Sequence, residues 1–302
     1  MRWKGRKQST NVEDRRGTSV RGGAAGGGAL GGLIFSLFTR GSGKMKLILI
    51  VGMIAAWAFF GWNPLSLLGG GGGQVTQNTH YKPSPEEQRM LAYLKTLKGD
   101  NEQIWSEILA AEGIKYRPAK MVVYRERTMT PGGIADARMG PFYLPKNEHI
   151  YIDPSFFIEL ETKFKAKGDF AQAYVIAHEV GHHIQKILGL TDKVHSQQGR
   201  IPKEEYNKLS VRLELQADFL AGVFAHHAQE KFNFLERGDI EEAMRCAEAI
   251  GDDRIQKQSQ GHIQPDLFTH GTSAQRKRWF MRGFESGDIN QGDTFKIPYN
   301  QL

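Results

Sequence analysis

The spacing of apolar and polar positions divides most of the chain into helices joined by short irregular stretches. Apolar residues recur every three or four positions, as on one face of a helix, whereas two short stretches rich in β-branched and aromatic residues are typical of strands. We therefore expect a mostly helical α+β domain with a small sheet. The pattern predicts helices over residues 86–98, 100–111, 170–188, 202–229, 239–250 and 273–284, and strands over residues 119–125 and 148–153.

Capping signals mark several of the predicted helix starts. Ser84 stands three positions before Glu87, which is the pattern of a capping box. Asp169 stands three positions before Gln172 and predicts a second capping box. Asp100 predicts the start of a separate helix over residues 100–111.

A long uncharged stretch separates the N-terminal region from these helices. Residues 47–68 are almost wholly apolar, and no Lys, Arg, Asp or Glu occurs between Lys46 and Lys82. About 20 apolar residues suffice to span a bilayer as a helix, so the stretch predicts a single transmembrane helix. The chain is thereby divided into five segments. These are a basic, Gly-rich disordered arm (residues 1–46), the transmembrane helix (47–68), a flexible linker (69–85), a folded domain (86–290) and a tail (291–302).

The distribution of charge follows this division. The net charge is +7, but ten basic and only two acidic residues lie in residues 1–46, which leaves the rest of the chain close to neutral. The folded domain is therefore not expected to bind nucleic acid, and the basic arm predicts a cytoplasmic N-terminus. A buried core helix and a cleavable signal peptide are alternatives for the apolar stretch. The single cysteine, Cys246, rules out an internal disulfide and a cysteine-based zinc site.

The candidate chemistry centres on residues 178–183, inside the helix predicted over residues 170–188. Because a helix places residues four apart on one face, His178 and His182 can offer their imidazoles to one metal ion. Glu179 follows the first histidine, where its carboxylate can reach a metal-bound water. This is the H-E-x-x-H arrangement of zinc peptidases.

A catalytic zinc site needs a third protein ligand and one position left open for water. A histidine-based extension of the motif would need glycine at position 185 and histidine at position 188, but the chain has Gln185 and Leu188. Glu214 and Asp218 lie four positions apart on the helix predicted over residues 202–229. We expect Glu214 to be the third ligand and Asp218 to accept the other ring N–H of a ligand histidine.

Two further features are expected around the metal. Residues 150–153 could pair, as an edge strand, with an extended peptide substrate. His270 is the candidate donor to the oxyanion. Structural or solvent-exposed roles are expected for the other histidines, His183, His195, His226, His227 and His262.

Taken together, these residues resemble the bacterial family of neutral zinc metallopeptidases. The resemblance covers nearly the whole chain and implies a zincin-like metallopeptidase domain, a bound Zn²⁺ and a peptide or protein substrate. The stretches that carry it are Gly140-Pro141-Phe142-Tyr143, Ile150-Tyr151-Ile152-Asp153, Ala177-His178-Glu179-Val180-Gly181-His182-His183, Glu214-Leu215-Gln216-Ala217-Asp218 and Phe268-Thr269-His270-Gly271.

The sequence therefore predicts a membrane-anchored zinc metallopeptidase in which Glu179 is the general base for a zinc-activated water. Its predicted location is the bacterial inner membrane, crossed once, with the N-terminus in the cytoplasm and the catalytic domain periplasmic or extracellular. The alternative is a non-catalytic, zinc-stabilised binding module anchored at the membrane.

Overall fold

The computed structural model describes residues 1–21, 74–78, 81–163, 165–260 and 262–302. In this part of the chain the strands are β1 (Val12–Asp14), β2 (Thr18–Arg21), β3 (Gln74–Gln77), β4 (Lys120–Val123), β5 (Arg127–Thr130), β6 (Gly133–Asp136), β7 (Phe142–Leu144) and β8 (His149–Ile152). The helices are α1 (Pro85–Ala111), α2 (Ser155–Thr162), α3 (Asp169–Ile187), α4 (Leu190–His195), α5 (Lys203–Phe232), α6 (Asp239–Ala249), α7 (Asp252–Gln260) and α8 (Ser273–Ser286).

The mixed helix-and-sheet composition agrees with the α+β prediction. The helices predicted over residues 170–188, 202–229, 239–250 and 273–284 correspond to α3, α5, α6 and α8. The two predicted strands correspond to β4 and β8.

A four-stranded sheet lies beside the helices, in the order β1-β4-β8-β7. Its side chains alternate between two apolar clusters, as the pleat of a strand requires. Met121 and Ile150 join the main core with α1 and α3, whereas Val122 and Tyr151 join a smaller cluster with Met139. The main core and the sheet together fix the position of α3.

The sheet order corrects the expectation that residues 150–153 form an edge strand. β8 is parallel to β4 on one side and antiparallel to β7 on the other, with Ile150 opposite both Met121 and Tyr143. Both of its edges are therefore occupied. The strands at the two ends of the sheet are β1 and β7.

Glycines allow the central helices to pack with their backbones in contact. A Cβ atom on Gly222 of α5 would lie 2.1 Å from the Phe280 carbonyl oxygen of α8, and one on Gly283 would lie 2.0 Å from the Phe219 carbonyl oxygen. No real Cβ atom tolerates such distances. α5 and α8 therefore form a tightly packed pair, and residues on their facing sides hold fixed relative positions.

The N-terminal residues differ from the predicted disordered arm, since residues 1–21 belong to the folded domain. β1 pairs in parallel with β4, with Glu13 opposite Val122. Arg16 is buried, pairs with Asp14 at 2.8 Å and donates to the Glu87 carbonyl oxygen at 2.8 Å. The composition of this segment gave no sign of order because much of its contribution is backbone pairing and ion pairs, with only a few apolar side chains, such as Met1 and Trp3, packed on the core.

The two helices predicted over residues 86–98 and 100–111 are one continuous helix, α1. Gly99 marks a crossing point rather than a helix end, because a Cβ atom there would lie 2.5 Å from the carbonyl oxygen of Lys7. The N-terminal segment thus passes over α1 at its glycine. Such a close approach explains a glycine inside a helix, where glycine otherwise costs about 1 kcal/mol.

The capping predictions have different outcomes at α1 and α3. The Ser84 capping box is confirmed, since its side chain accepts from the backbone of Glu87 and the Glu87 carboxylate accepts from the backbone of Ser84. Asp169 does not cap α3: the cap residue is Gly168, and Glu242 of α6 accepts from the backbone N–H of Phe170 at 3.0 Å. The acceptor at the start of α3 therefore comes from the neighbouring helix α6, and not from Asp169 as the sequence predicted.

The end of the chain also packs on the domain. The residues predicted as a tail, 291–302, include Leu302, whose side chain is buried in the main core. Arg212 of α5 donates to the Ile297 carbonyl oxygen at 2.8 Å.

The structure contradicts the predicted single-pass membrane architecture. β1 pairs with β4 and β2 pairs with β3, so residues before and after the apolar stretch share hydrogen-bonded ladders. One crossing between them would put these partners on opposite sides of a bilayer. None of the helices within the described ranges is long and apolar enough to cross a membrane, and residues 47–68 lie outside those ranges. The inner-membrane location inferred from that span is overturned with it.

Candidate metal centre

α3 carries both histidines of the H-E-x-x-H stretch on one face. The rings of His178 and His182 lie 4.7 Å apart, centroid to centroid, and nearly perpendicular to each other. The spacing of four residues produces this arrangement because successive turns of a helix stack their side chains. Their Nε2 atoms both face α5.

α5 brings Glu214 to these nitrogens. Its Oε2 atom lies 3.2 Å from His178 Nε2, and its Oε1 atom lies 3.4 Å from His182 Nε2. One ligand atom from each of the three residues lies within 4.8 Å of the others. Ligand atoms about 2.0–2.2 Å from a tetrahedral zinc ion are roughly 3.3–3.6 Å apart, so the donors and their spacing fit zinc.

The second nitrogen of His178 is held by a buried polar network. Its Nδ1–H donates to Asp218 Oδ1 at 2.8 Å, which leaves Nε2 free for a metal. The same Asp218 carboxylate accepts from the Tyr174 hydroxyl at 2.5 Å and from the Arg276 guanidinium at 2.8 and 2.9 Å. Burial disfavours a charged His178, but Asp218 outweighs it and raises the pKa of His178 to about 10 in the absence of a metal.

His182 is oriented by a neutral partner instead. Its Nδ1–H donates to Gln185 Oε1 at 2.9 Å. The Gln185 amide is itself fixed, because its Nε2 donates to the Leu213 carbonyl oxygen at 2.6 Å and to Gln216 Oε1 at 3.1 Å. Both histidines therefore present Nε2 toward Glu214.

Glu179 is buried beside these ligands, and burial raises its pKa above the ordinary value for a glutamate. The neighbouring His182 and His178 act in the opposite direction, but burial outweighs them. For Glu214, burial also opposes the charge, but His182 and His270 outweigh it and lower the pKa. The environments of the two carboxyl groups thus push their pKa values apart.

β7 is fastened to α3 beside the site. The Tyr143 hydroxyl donates to His183 Nδ1 at 3.0 Å, and the other ring nitrogen of His183 lies 2.6 Å from the Arg117 carbonyl oxygen. His183 is fully buried, in agreement with the structural role expected for it. Its contacts set the separation between β7 and Glu179.

His270 lies near Glu214 on the loop before α8. Asp252, the first residue of α7, holds this loop: its Oδ2 atom accepts from the backbone N–H groups of Thr269, His270 and Gly271 at 2.7, 2.6 and 3.1 Å. Its Oδ1 atom lies 3.2 Å from His270 Nδ1. Burial opposes charge on His270, but Glu214 and Asp252 outweigh it and raise its pKa.

Asp169, Asp239 and Glu242 form another group whose oxygens lie within 4.8 Å of one another. The amino group of Met1 lies 3.0 Å from Asp169 and 3.5 Å from Asp239. Glu242 is the acceptor for the backbone of Phe170. A cation is thus already supplied to this group, and its all-carboxylate donors suit zinc less well than the histidine site.

The structure places all three predicted ligands, Glu179 and Asp218 in one cluster, with His270 at its border. It does not bring residues 150–153 to the site as a free edge. Sequence reasoning missed Gln185, Asp252 and Arg276. Gln185 could have been found from its position three residues after His182 on the same helix, whereas no local signal marks the other two.

Comparisons with known proteins find relatives along nearly the whole chain. A family model described as "Putative neutral zinc metallopeptidase" matches residues 1–295. "Uncharacterized protein YpfJ" of Escherichia coli (strain K12) is 46% identical over 295 residues, covering 98% of this chain and 99% of that protein. "Uncharacterized protein Rv2575" of Mycobacterium tuberculosis is 39% identical over 204 residues, covering 64% of this chain and 67% of that protein. No solved structure matches the chain.

Proposed function

Since this chain belongs to the family described as "Putative neutral zinc metallopeptidase", we propose that it is a zinc-dependent peptidase with Glu179 as its general base. The observation that carries the proposal is the convergence of His178, His182 and Glu214 within 4.8 Å, with Glu179 beside them. Each histidine has its other nitrogen occupied, so both Nε2 atoms are available as ligands. Zinc bound there would polarise a peptide carbonyl and lower the pKa of a water.

Glu179 would act on that water. Its position directly after His178 puts a carboxylate next to the ligand nitrogens, and it is not needed to hold the ion. It would accept a proton from the attacking water and deliver it to the leaving amine nitrogen. A residue that serves both steps must stay close to the scissile bond, and Glu179 lies on the same helix as both ligand histidines.

The substrate strand would lie along β7. This strand ends the sheet, and among the described residues no strand pairs with its outer side. The strand lies beside α3, since the Tyr143 hydroxyl is hydrogen-bonded to His183 Nδ1 at 3.0 Å. An extended peptide added to β7 would therefore run past the base, with main-chain hydrogen bonds holding its register.

His270 would stabilise the oxyanion. Its Nδ1 atom lies 3.2 Å from Asp252 Oδ1, which holds the imidazole at the border of the site. Glu214 and Asp252 outweigh burial and raise the pKa of His270, which favours its action as a hydrogen-bond donor. A donor at this position would strengthen its hydrogen bond as negative charge develops on the carbonyl oxygen.

The test uses the full chain, because β1 belongs to the sheet and a fragment without it would lose a strand. Purified protein is incubated with zinc and unfolded casein, and fragments are quantified. We expect cleavage that a chelator abolishes and added zinc restores. Glu179→Gln should bind zinc as the parent does and cleave roughly 10²–10⁴-fold more slowly.

Glu230→Gln is the matched control, because this carboxylate is exposed on α5. It should change neither zinc binding nor cleavage. If Glu179→Gln cleaves as fast as the parent protein, the assignment of the base is wrong. Stoichiometric zinc without any cleavage by the parent protein would favour the non-catalytic binding module.

A further inference from the structure

Arg276 is an unusual residue for its position. Its side chain is 2% exposed, and it lies in the first turn of α8. A cation is unfavourable there on two counts, because burial removes its hydration and the N-terminus of a helix carries partial positive charge. A strong compensating interaction is required.

Asp218 supplies that interaction in a two-pronged geometry. Arg276 Nε donates to Oδ2 at 2.8 Å, and Nη2 donates to Oδ1 at 2.9 Å. Nη2 also donates to the Tyr174 hydroxyl at 3.2 Å. The planar guanidinium therefore fixes the plane of a carboxylate that is 0% exposed.

The fixed carboxylate is the one that orients His178. Asp218 Oδ1 receives the ring N–H of His178 at 2.8 Å, and His178 Nε2 then faces Glu214 at 3.2 Å. The chain of contacts runs from α8 through α5 to α3. A rotation of the Asp218 carboxylate would turn the imidazole and move the ligand nitrogen.

The balance of charge around the site also requires Arg276. Glu179, Glu214 and Asp218 are buried carboxylates at one place. A divalent cation can balance two of them, and the guanidinium of Arg276 balances the third. Without that fixed charge the filled site would keep an uncompensated carboxylate in a buried environment, which is costly.

We propose that Arg276 is a positioning residue of the metal centre, which holds Asp218 in the orientation that directs His178 Nε2 to the ion. This inference rests on the proposed zinc site but not on catalysis. Arg276 acts through Asp218 and makes no contact with substrate. It also requires the forked guanidinium rather than a positive charge alone, since an ammonium cannot fix both carboxylate oxygens in a plane.

The experiment measures the zinc Kd of the full chain by competition with a chromophoric chelator, together with the Tm of each zinc-free protein. Arg276→Gln should raise Kd on the order of 10–100-fold, the range typical of lost partners behind a metal ligand. Asp218→Asn should do the same. The double variant should lose little more zinc affinity than either single variant, because the two residues act as one unit.

Arg212→Gln is the matched control. Arg212 also ties α5 to another part of the chain, through the carbonyl oxygens of Thr294 and Ile297, but it is remote from Asp218 in the hydrogen-bond network. We expect a lower Tm and an unchanged Kd. Arg276→Lys keeps the buried charge, and its Kd should lie between those of the parent and the glutamine variant.

Separate outcomes overturn separate claims. An unchanged Kd in Arg276→Gln, or losses that add fully in the double variant, would show that Arg276 is only structural. If the glutamine variant does not fold, the lysine variant decides, and a parental Kd there overturns the requirement for a guanidinium. Absence of zinc binding by the parent protein would overturn the proposed function and this inference together.

Discussion

Gly181 of α3 lies directly against Ala217 of α5: a Cβ atom on Gly181 would be 3.0 Å from the Ala217 carbonyl oxygen. The helix that carries both histidines and the helix that carries Glu214 are therefore in backbone contact. This contact lies one residue before His182 and three residues after Glu214. It sets the separation on which the distances of 3.2 and 3.4 Å between ligand atoms depend.

Enlarging Gly181 should damage both stability and zinc binding. In Gly181→Val the added methyl groups meet backbone atoms that cannot rotate away, and overpacking of this kind costs about 1–3 kcal/mol. We expect a lower free energy of unfolding by urea and a weaker zinc affinity. Gln172→Val, at a partly exposed position of the same helix, controls for the β-branched residue, and equal effects in the two variants would contradict the packing argument.

The Gln185 amide should matter for zinc binding as a hydrogen-bond acceptor. Gln185→Met keeps the length of the side chain but removes the acceptor for His182 and the donor to the Leu213 carbonyl oxygen. We expect zinc affinity to fall on the order of tenfold or more. Gln172→Met on the same helix should leave it unchanged. A parental Kd in Gln185→Met would mean that His182 is oriented by packing alone.

His270 should affect turnover and not metal content. His270→Phe fills a similar volume without a donor, and loss of an oxyanion donor typically costs about 10²–10³-fold in kcat. Zinc affinity should stay within about threefold, because His270 is outside the ligand set. Asp252→Ala should also lower kcat, because it removes the acceptor that holds the loop carrying His270. The exposed His262→Phe is the control, and a loss of zinc in His270→Phe would assign it to the metal instead.

Substitution of Gly99 tests the crossing of the N-terminal segment over α1. Helix propensity alone would make Gly99→Ala stabilising by about 1 kcal/mol. The carbonyl oxygen of Lys7 stands 2.5 Å from the new methyl group, so we expect a net loss of stability instead. Thermal unfolding should show a lower Tm, and proteolysis within residues 1–21 should be faster. A raised Tm would show that the segment does not pack there.

Acid should remove the contribution of the β1 ion pairs. A hydrogen bond from Arg15, opposed by partial burial and helped by Lys120, lowers the pKa of Glu13 from 4.5 to about 2. A carboxyl group whose pKa is lower in the folded state stabilises above its unfolded pKa, and loses that effect as the pH falls toward 2. The side chain is partly exposed, so its contribution is at most about 1 kcal/mol.

The corresponding measurement compares urea unfolding of the parent protein and Glu13→Gln at several pH values. The difference in free energy should be constant near neutral pH and should narrow below about pH 4.5. Glu285→Gln, at an exposed position of α8, should give little difference at any pH. If the difference in free energy of unfolding between the parent protein and Glu13→Gln is undiminished at the lowest pH, Glu13 contributes by packing and not by its charge.

Features with a local sequence signal could be predicted, and several site residues are among them. His178, Glu179 and His182 occupy one helical face by spacing alone, and Glu214 with Asp218 is a second pair at helical spacing. The same local logic located the Ser84 capping box. In each of these cases the paired residues lie within about one turn of a helix, so the spacing itself places them on one face; the contact between the two helices follows only from the fold.

Features that depend on pairing between distant segments could not be predicted. β1 adds backbone to β4, about 110 residues away, with no apolar pattern to mark it. The order of the strands made β8 internal and β7 terminal, although β8 has the stronger strand signal. Arg276 looks like a surface arginine of an amphipathic helix until α8 is packed against α5, and only then does it face Asp218.

The metal centre is enclosed: His178 and Glu179 are 7% and 8% exposed, and Glu214 is 4% exposed. Side chains this deeply buried are more accessible to a single extended chain than to the surface of a compact protein. If the site hydrolyses peptides, its selectivity would follow the conformation of the target more than its sequence. Folded proteins would then resist cleavage, whereas unfolded or incompletely folded polypeptides would be cleaved, without any dedicated inhibitor.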